Sequence, residues 1–188
     1  MFRRRPLRAL RPVVRAAVAS SVPRVPPVLQ RANQLMADGD YRAAAEAFEM
    51  LARGAESRGI PRAPHLYLRA GQARLLAGET EVGMAHLRLA LSRMAASGQW
   101  QVLDQAGSRV VAELNEAGLT KEAQEISEYV KSALAGAPAG YAQAGTAGGK
   151  ALPTHCPGCG GPLRASETTW LDSLTAECPY CGSPVRGE

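Results

Sequence analysis

The sequence predicts a mainly α protein: three successive helical hairpins arranged as a repeat solenoid, then a small β-module organised around four cysteines. Three observations predict it. Hydrophobic residues make up 46% of the 188-residue chain and aromatics only 5%. Its core must therefore be built from Ala, Leu and Val, which suits closely packed helices better than stacked sheets. Gly39, Gly78 and Gly118 stand 39 and 40 residues apart, each between two helix-like stretches. All four cysteines form two doublets, Cys156-x2-Cys159 and Cys178-x2-Cys181.

Residues 1–26 are expected to be a basic arm without fixed structure. Arg3, Arg4, Arg5, Arg8, Arg11, Arg15, Arg24 and Arg31 precede the first acid, Asp38, and Pro6, Pro12, Pro23 and Pro26 interrupt any long helix. The net charge of +5 resides in this arm, because the chain beyond residue 31 holds 14 basic against 17 acidic residues. A nucleic-acid reading based on overall charge would therefore describe the arm and not the folded body. No apolar run approaches the roughly 18 residues that a spanning helix needs. The best N-terminal candidate, VVRAAVASSV (13–22), is broken by Arg15. Neither a membrane span nor a secretory signal is expected, and the chain is placed in the cytoplasm. The arm also resembles an organelle presequence, should the source be eukaryotic.

The helical body is expected over 27–134. ANQLMADGDYRAAAEAF (32–48), GQARLLAGETEVGMAHL (71–87) and VAELNEAGLTKEAQEIS (111–127) align on the three glycines. Each glycine takes the position after a helix where positive φ is tolerated. Seven residues before it comes Ala32, Gly71 or Val111, and five after it Ala44, Gly83 or Ala123. Small residues at these points let two antiparallel helices approach closely. The expected pairs are 27–38 with 41–57, 64–77 with 80–96, and 99–116 with 120–134.

GDYRAAAEAF (39–48) resembles the turn and second helix of the tetratricopeptide repeat, and Gly71 and Gly78 sit where that family prefers small residues and glycine. The resemblance extends over 27–134, although the period exceeds the family's usual length of about 34 residues. Val111 and Ser127 depart from the family's pattern in the third unit. What the resemblance implies is a curved stack whose first helices line the concave side and bind a protein or peptide partner. Asn33, Met36, Leu68, Gln72, Leu75, Ser108, Ala112 and Asn115 would then form that surface, a mixture of amides and aliphatics suited to an extended peptide or partner helix.

Residues 135–154, AGAPAGYAQAGTAGGKALPT, have no apolar periodicity and read as a flexible linker. The module that follows, 155–188, is therefore expected to be tethered and not packed on the repeats. Eighteen residues separate its cysteine doublets, the spacing of a four-cysteine zinc site. Gly160 and Gly182 follow each doublet where the backbone must curl round an ion, and Pro157 and Pro179 pre-set the turns. LRASETTW (163–170) and LTAEC (174–178) are expected as two strands joined at Asp172–Ser173. The module resembles a zinc ribbon. Iron in a rubredoxin-like site uses the same four thiolates and is the rival metal. The paired Glu-x-x-His motifs of a helical diiron domain do not occur, which favours one structural zinc. Doublets without a credible secretory signal argue against disulfides, and His155 is expected as an exposed neighbour.

No catalytic constellation is expected. Four thiolates leave a zinc ion no open position for water, GTAGGK (145–150) lacks the spacing of a phosphate loop, and carboxylates such as Glu46, Glu49 and Glu56 fall on helix faces with arginines nearby, where most read as solvated surface. Two classes of function remain. The first is a non-enzymatic adaptor or scaffold. The second is a nucleic-acid- or ribosome-associated factor that places its arm on phosphates, or equally on anionic lipid, with Trp170 stacked on a base.

Overall fold

The computed structural model describes residues 26–138, 151–171 and 174–187. The basic arm, the middle of the expected linker and the expected strand turn at Asp172–Ser173 lie outside the described residues. Six helices form in order: α1 (Pro27–Asp38), α2 (Tyr41–Glu56), α3 (Ala63–Leu76), α4 (Thr80–Ala96), α5 (Trp100–Glu116) and α6 (Thr120–Ala135). Each end falls within one residue of the expected hairpin pairs. The reason is local. Gly39, Gly78 and Gly118 adopt φ of 81°, 78° and 77°, the left-handed region that disfavours other residues. The next amide then bonds back across the helix end, Asp40 to Leu35, Glu79 to Arg74 and Leu119 to Leu114, which satisfies carbonyls the helix leaves open. Asp40 also accepts from the Ala43 amide at 3.2 Å, capping α2.

Consecutive helices pack on one another throughout. In the first hairpin Ala32 and Ala44 are fully buried. In the second, a Cβ on Gly71 would stand 3.0 Å from the Gly83 carbonyl oxygen, and one on Gly83 equally close to that of Gly71. Backbones therefore touch where the glycine spacing predicts. The third hairpin solves the problem differently. Val111 is only half-buried, and the tight point is Gly107, where an added Cβ would lie 2.5 Å from a Val130 methyl. One helical turn separates the two positions, so the small residue shifted along α5 while the contact itself remained.

Three short antiparallel strands follow: β1 (Thr169–Trp170), β2 (Thr175–Glu177) and β3 (Pro184–Arg186), in spatial order β1-β2-β3. The third strand was not expected. In the register, Ala176 faces Val185, and both are buried, as the period-two alternation of strands requires. The largest fully buried side chains, including Phe48, Leu68, Leu87, Leu91, Met94 and Leu103, all come from helices apart from Cys156 and Cys159. Each such aliphatic or aromatic side chain contributes about 1.5–3 kcal/mol. The helices thus carry the core, whereas the β-module depends on its cysteines and on what covers it.

That cover is the helices. Leu163, Tyr180 and Val185 of the module belong to the same hydrophobic core as α1–α6. The module is docked, where a free tether was expected. Linker composition describes the linker's own stiffness; it carries no information about whether the two bodies it joins have matching surfaces.

Candidate metal centre and its docking face

The two cysteine doublets fold alike. Gly160 N–H donates to the Cys156 carbonyl and Gly182 N–H to that of Cys178, both at 2.9 Å. Cys156 N–H in turn donates to the Gly161 carbonyl at 2.8 Å, and Cys178 N–H to that of Ser183 at 3.0 Å. Gly160 and Gly182 adopt φ of 73° and 75°, the left-handed turn that aims two sulfurs at one point. All four Sγ atoms lie within 4.8 Å of one another. Cys156 and Cys181 approach to 3.7 Å and Cys159 and Cys178 to 3.8 Å. A tetrahedral ion with metal–sulfur bonds of about 2.3 Å places its sulfurs about 3.8 Å apart. The donor set therefore fits a single metal ion, and the separations exclude S–S bonds.

The electrostatics agree. Hydrogen bonds to Cys178 and Cys181, with burial, raise the Cys159 thiol, while bonds from Cys159 and Cys178 lower Cys181. Thiols this crowded cannot all ionise together, and a cation that takes several thiolates at once removes the conflict. His155 is exposed and bonds with Thr154 Oγ1 at 3.1 Å, outside the sulfur cluster.

The knuckles rest on one face of the helices, presented by α1, α3 and α5. Gln30 Nε2 donates to the Gly158 carbonyl at 2.7 Å, and Asn33 Nδ2 to that of Cys159 at 2.9 Å. His65 meets the Tyr180 ring edge-on at 6.2 Å between centroids. The Arg62 guanidinium lies against Gly182, where any side chain would collide with it, and pairs with Glu177. Arg109 pairs with Glu167, and this pair is nearly removed from water, with side chains 12% and 10% exposed. Burial, with Arg109 and Arg62 nearby, pushes His65 down to about 4, so its ring is neutral at neutral pH.

One cation on this face has no acid. Arg69 stacks 5.3 Å over the Phe48 ring, its Nη1 donates to Gln72 Oε1 at 3.3 Å, and its buried Nε has no partner. Among the described residues no carboxylate lies within ion-pair distance of it. Burial holds its pKa below the usual arginine value, with Tyr180 and Glu113 offsetting part of the effect. Arg69 borders a cavity of about 630 Å³ between the first knuckle and the helices.

The expected partner surface divides accordingly. Asn33 is engaged by the β-module. Leu68 is 2% exposed and is a packing residue of the helical core, which corrects its place on a free surface. Gln72 Nε2 donates to Glu113 at 2.9 Å, bridging α3 and α5. Leu75 is half-buried against Gly83. Met36 lies beside Leu75 in a second cavity of about 380 Å³ at the C-terminal ends of α3 and α5. Ser108, Ala112 and Asn115 are exposed. Sequence reasoning missed Arg62, Arg69 and Glu113. The available signal was charge: arginines on the first helices of the hairpins, acids in the module. A second correction concerns Glu49, which is buried and bonded to Arg74 and His86, not solvated.

Among the described residues no helix is long and apolar enough to cross a membrane. Comparison with protein-family models, with curated proteins and with solved structures gives no match to this chain.

Proposed function

We propose that this chain is a non-enzymatic adaptor. Its six helices act as three tetratricopeptide-like hairpins, and a structural zinc ion on Cys156, Cys159, Cys178 and Cys181 holds a zinc ribbon against them. One observation carries this reading: the face of α1, α3 and α5 already holds a polypeptide segment. It does so with side-chain amides on backbone carbonyls and arginines on carboxylates, the chemistry of peptide recognition. A four-thiolate ion has no open coordination position and serves structure, not turnover. Four cysteines gathered as one candidate ion site, with none paired as a disulfide, suit a reducing compartment such as the cytoplasm. Ser108, Ala112 and Asn115 remain open on α5 for a partner.

Two measurements test the proposal. Elemental analysis of protein purified without added metal should find zinc at one ion per chain; iron at that level, with the red colour of a four-thiolate iron site, would replace zinc. A photo-crosslinking amino acid at Ala112 or Asn115 should capture one defined protein in cells, and the same group at exposed Arg88 on α4 should not. Capture of RNA in place of protein would move the chain to the second class, a nucleic-acid- or ribosome-associated factor.

A further inference from the structure

The docking contacts of the ribbon, polar at Gly158, Cys159 and Glu177 and steric or aromatic at Tyr180 and Gly182, leave, Glu167 apart, from Cys159 or from residues adjacent to a cysteine. Their positions depend on knuckles closed round a common ion, because so small a module has little core of its own. On the helical side neutral amides take the ribbon's carbonyls, and the groups that take its carboxylates are guanidiniums. Arg62 and Arg109 take ribbon carboxylates, and Arg69 has none. Glu113 on this face is bonded to Gln72 and lies 3.5 Å from Arg109, and Glu116 lines the cavity that Arg69 and Glu113 share. Withdrawal of the ribbon would therefore leave three guanidinium groups on one helical face, with Glu113 and Glu116 as the carboxylates beside them.

We propose that the ribbon is a metal-held occupant of this face, and that loss of the metal opens the face to an acidic segment of a partner protein. Carboxylates of that segment would replace Glu177 on Arg62 and Glu167 on Arg109, and a third would reach Arg69. The ribbon thereby couples metal occupancy to partner access. The apparent affinity of a covered face is reduced by the fraction of molecules in which it is uncovered. This inference rests on the adaptor reading above and adds the partner's chemistry and its control.

The test uses the full chain and a short fluorescein-labelled peptide of alternating glutamate and serine, with binding read by fluorescence anisotropy. Zinc-loaded protein should bind weakly, and chelator-treated protein about tenfold more tightly or better. The double variant Arg62→Gln/Arg109→Gln retains the basic arm and should lose that gain. A second route keeps the metal and is independent of any change in helix content on chelation. Zinc-loaded Glu167→Lys/Glu177→Lys places like charges across the docking face and should bind the peptide more tightly than wild type. Equal affinity in both metal states, or a gain that survives loss of Arg62 and Arg109, would overturn the proposal. So would an equal gain for a single-stranded oligonucleotide of matching charge. The crosslinking at Ala112 and Asn115 is independent of metal state, so a partner captured there without the metal-dependent gain would leave the adaptor standing and remove only the gate.

Discussion

A glycine within a helix costs about 1 kcal/mol relative to alanine, and α3 and α4 each carry one where they touch. Gly71 and Gly83 are both buried, and a Cβ on Gly83 would meet Leu75 Cγ at 2.9 Å and the Gly71 carbonyl oxygen at 3.0 Å. A side chain tip can turn aside, but a carbonyl in the middle of a helix cannot. Gly83→Leu should therefore lower the melting temperature, with overpacking costing about 1–3 kcal/mol against the propensity regained. A stabilised variant would show that the hairpin does not need this contact. Glu49 offers a second test at the same scale. It accepts from Arg74 Nε at 2.7 Å and lies 3.0 Å from His86 Nε2. Burial opposes its charge, but Arg74 and His86 outweigh burial and hold the carboxyl below its ordinary value. A carboxyl lower in the folded than in the unfolded chain adds stability that is complete above the ordinary value of 4.5. That stability is lost as pH falls through the folded value, because the unfolded chain then binds the proton first. Glu49→Gln should melt lower at neutral pH and lose less on acidification. Comparing the two slopes cancels any acid effect at the cysteine cluster, which both proteins share; parallel slopes would refute the assignment.

At the scale of elements, what the sequence made legible was local. Helix ends followed from Gly39, Gly78 and Gly118, because a left-handed residue is a property of its own position and its immediate neighbours. The four-cysteine cluster was legible for the same reason: each knuckle closes within a few residues of its two cysteines. Strand β3 was not, since it is only three residues long and begins with Pro184, a residue that argues against strands away from edges or first positions. The docking of the ribbon was hidden for a different reason. Arg109 and Glu167 are 58 residues apart, and no local pattern announces that they meet. Their pair, almost excluded from water, should be strongly coupled. In a double-mutant cycle with Arg109→Ala and Glu167→Ala, the two changes together should cost less than the sum of each alone. An interaction energy of about 0.5–3 kcal/mol is expected for residues in contact, since either single change leaves a charge without its partner. Additive changes would mean that the ribbon is not held at this point.

Across the whole molecule, the shared core ties the cysteine module to the helices, so a metal bound by its cysteines would act on both. A ribbon that merely hung from a linker could lose its ion without any consequence for α1–α6. Here Leu163, Tyr180 and Val185 sit in one core with the helices, and Gln30, Asn33, Arg62 and Arg109 all spend polar contacts on the ribbon. Chelation should leave most of the helical circular dichroism at room temperature, because the large core side chains lie between the helices themselves. It should nevertheless lower the temperature at which that signal is lost, since an ion bound only by the folded state stabilises whatever folds with it. For a chain of this size each 1 kcal/mol of lost docking corresponds to about 2–4 °C. Returning zinc should restore the midpoint, and replacing Cys178 and Cys181 with serine should reproduce the chelated midpoint without any chelator. A helical midpoint indifferent to both treatments would mean that the ribbon and the helices are independent bodies, and would separate the metal from any control over the face it covers.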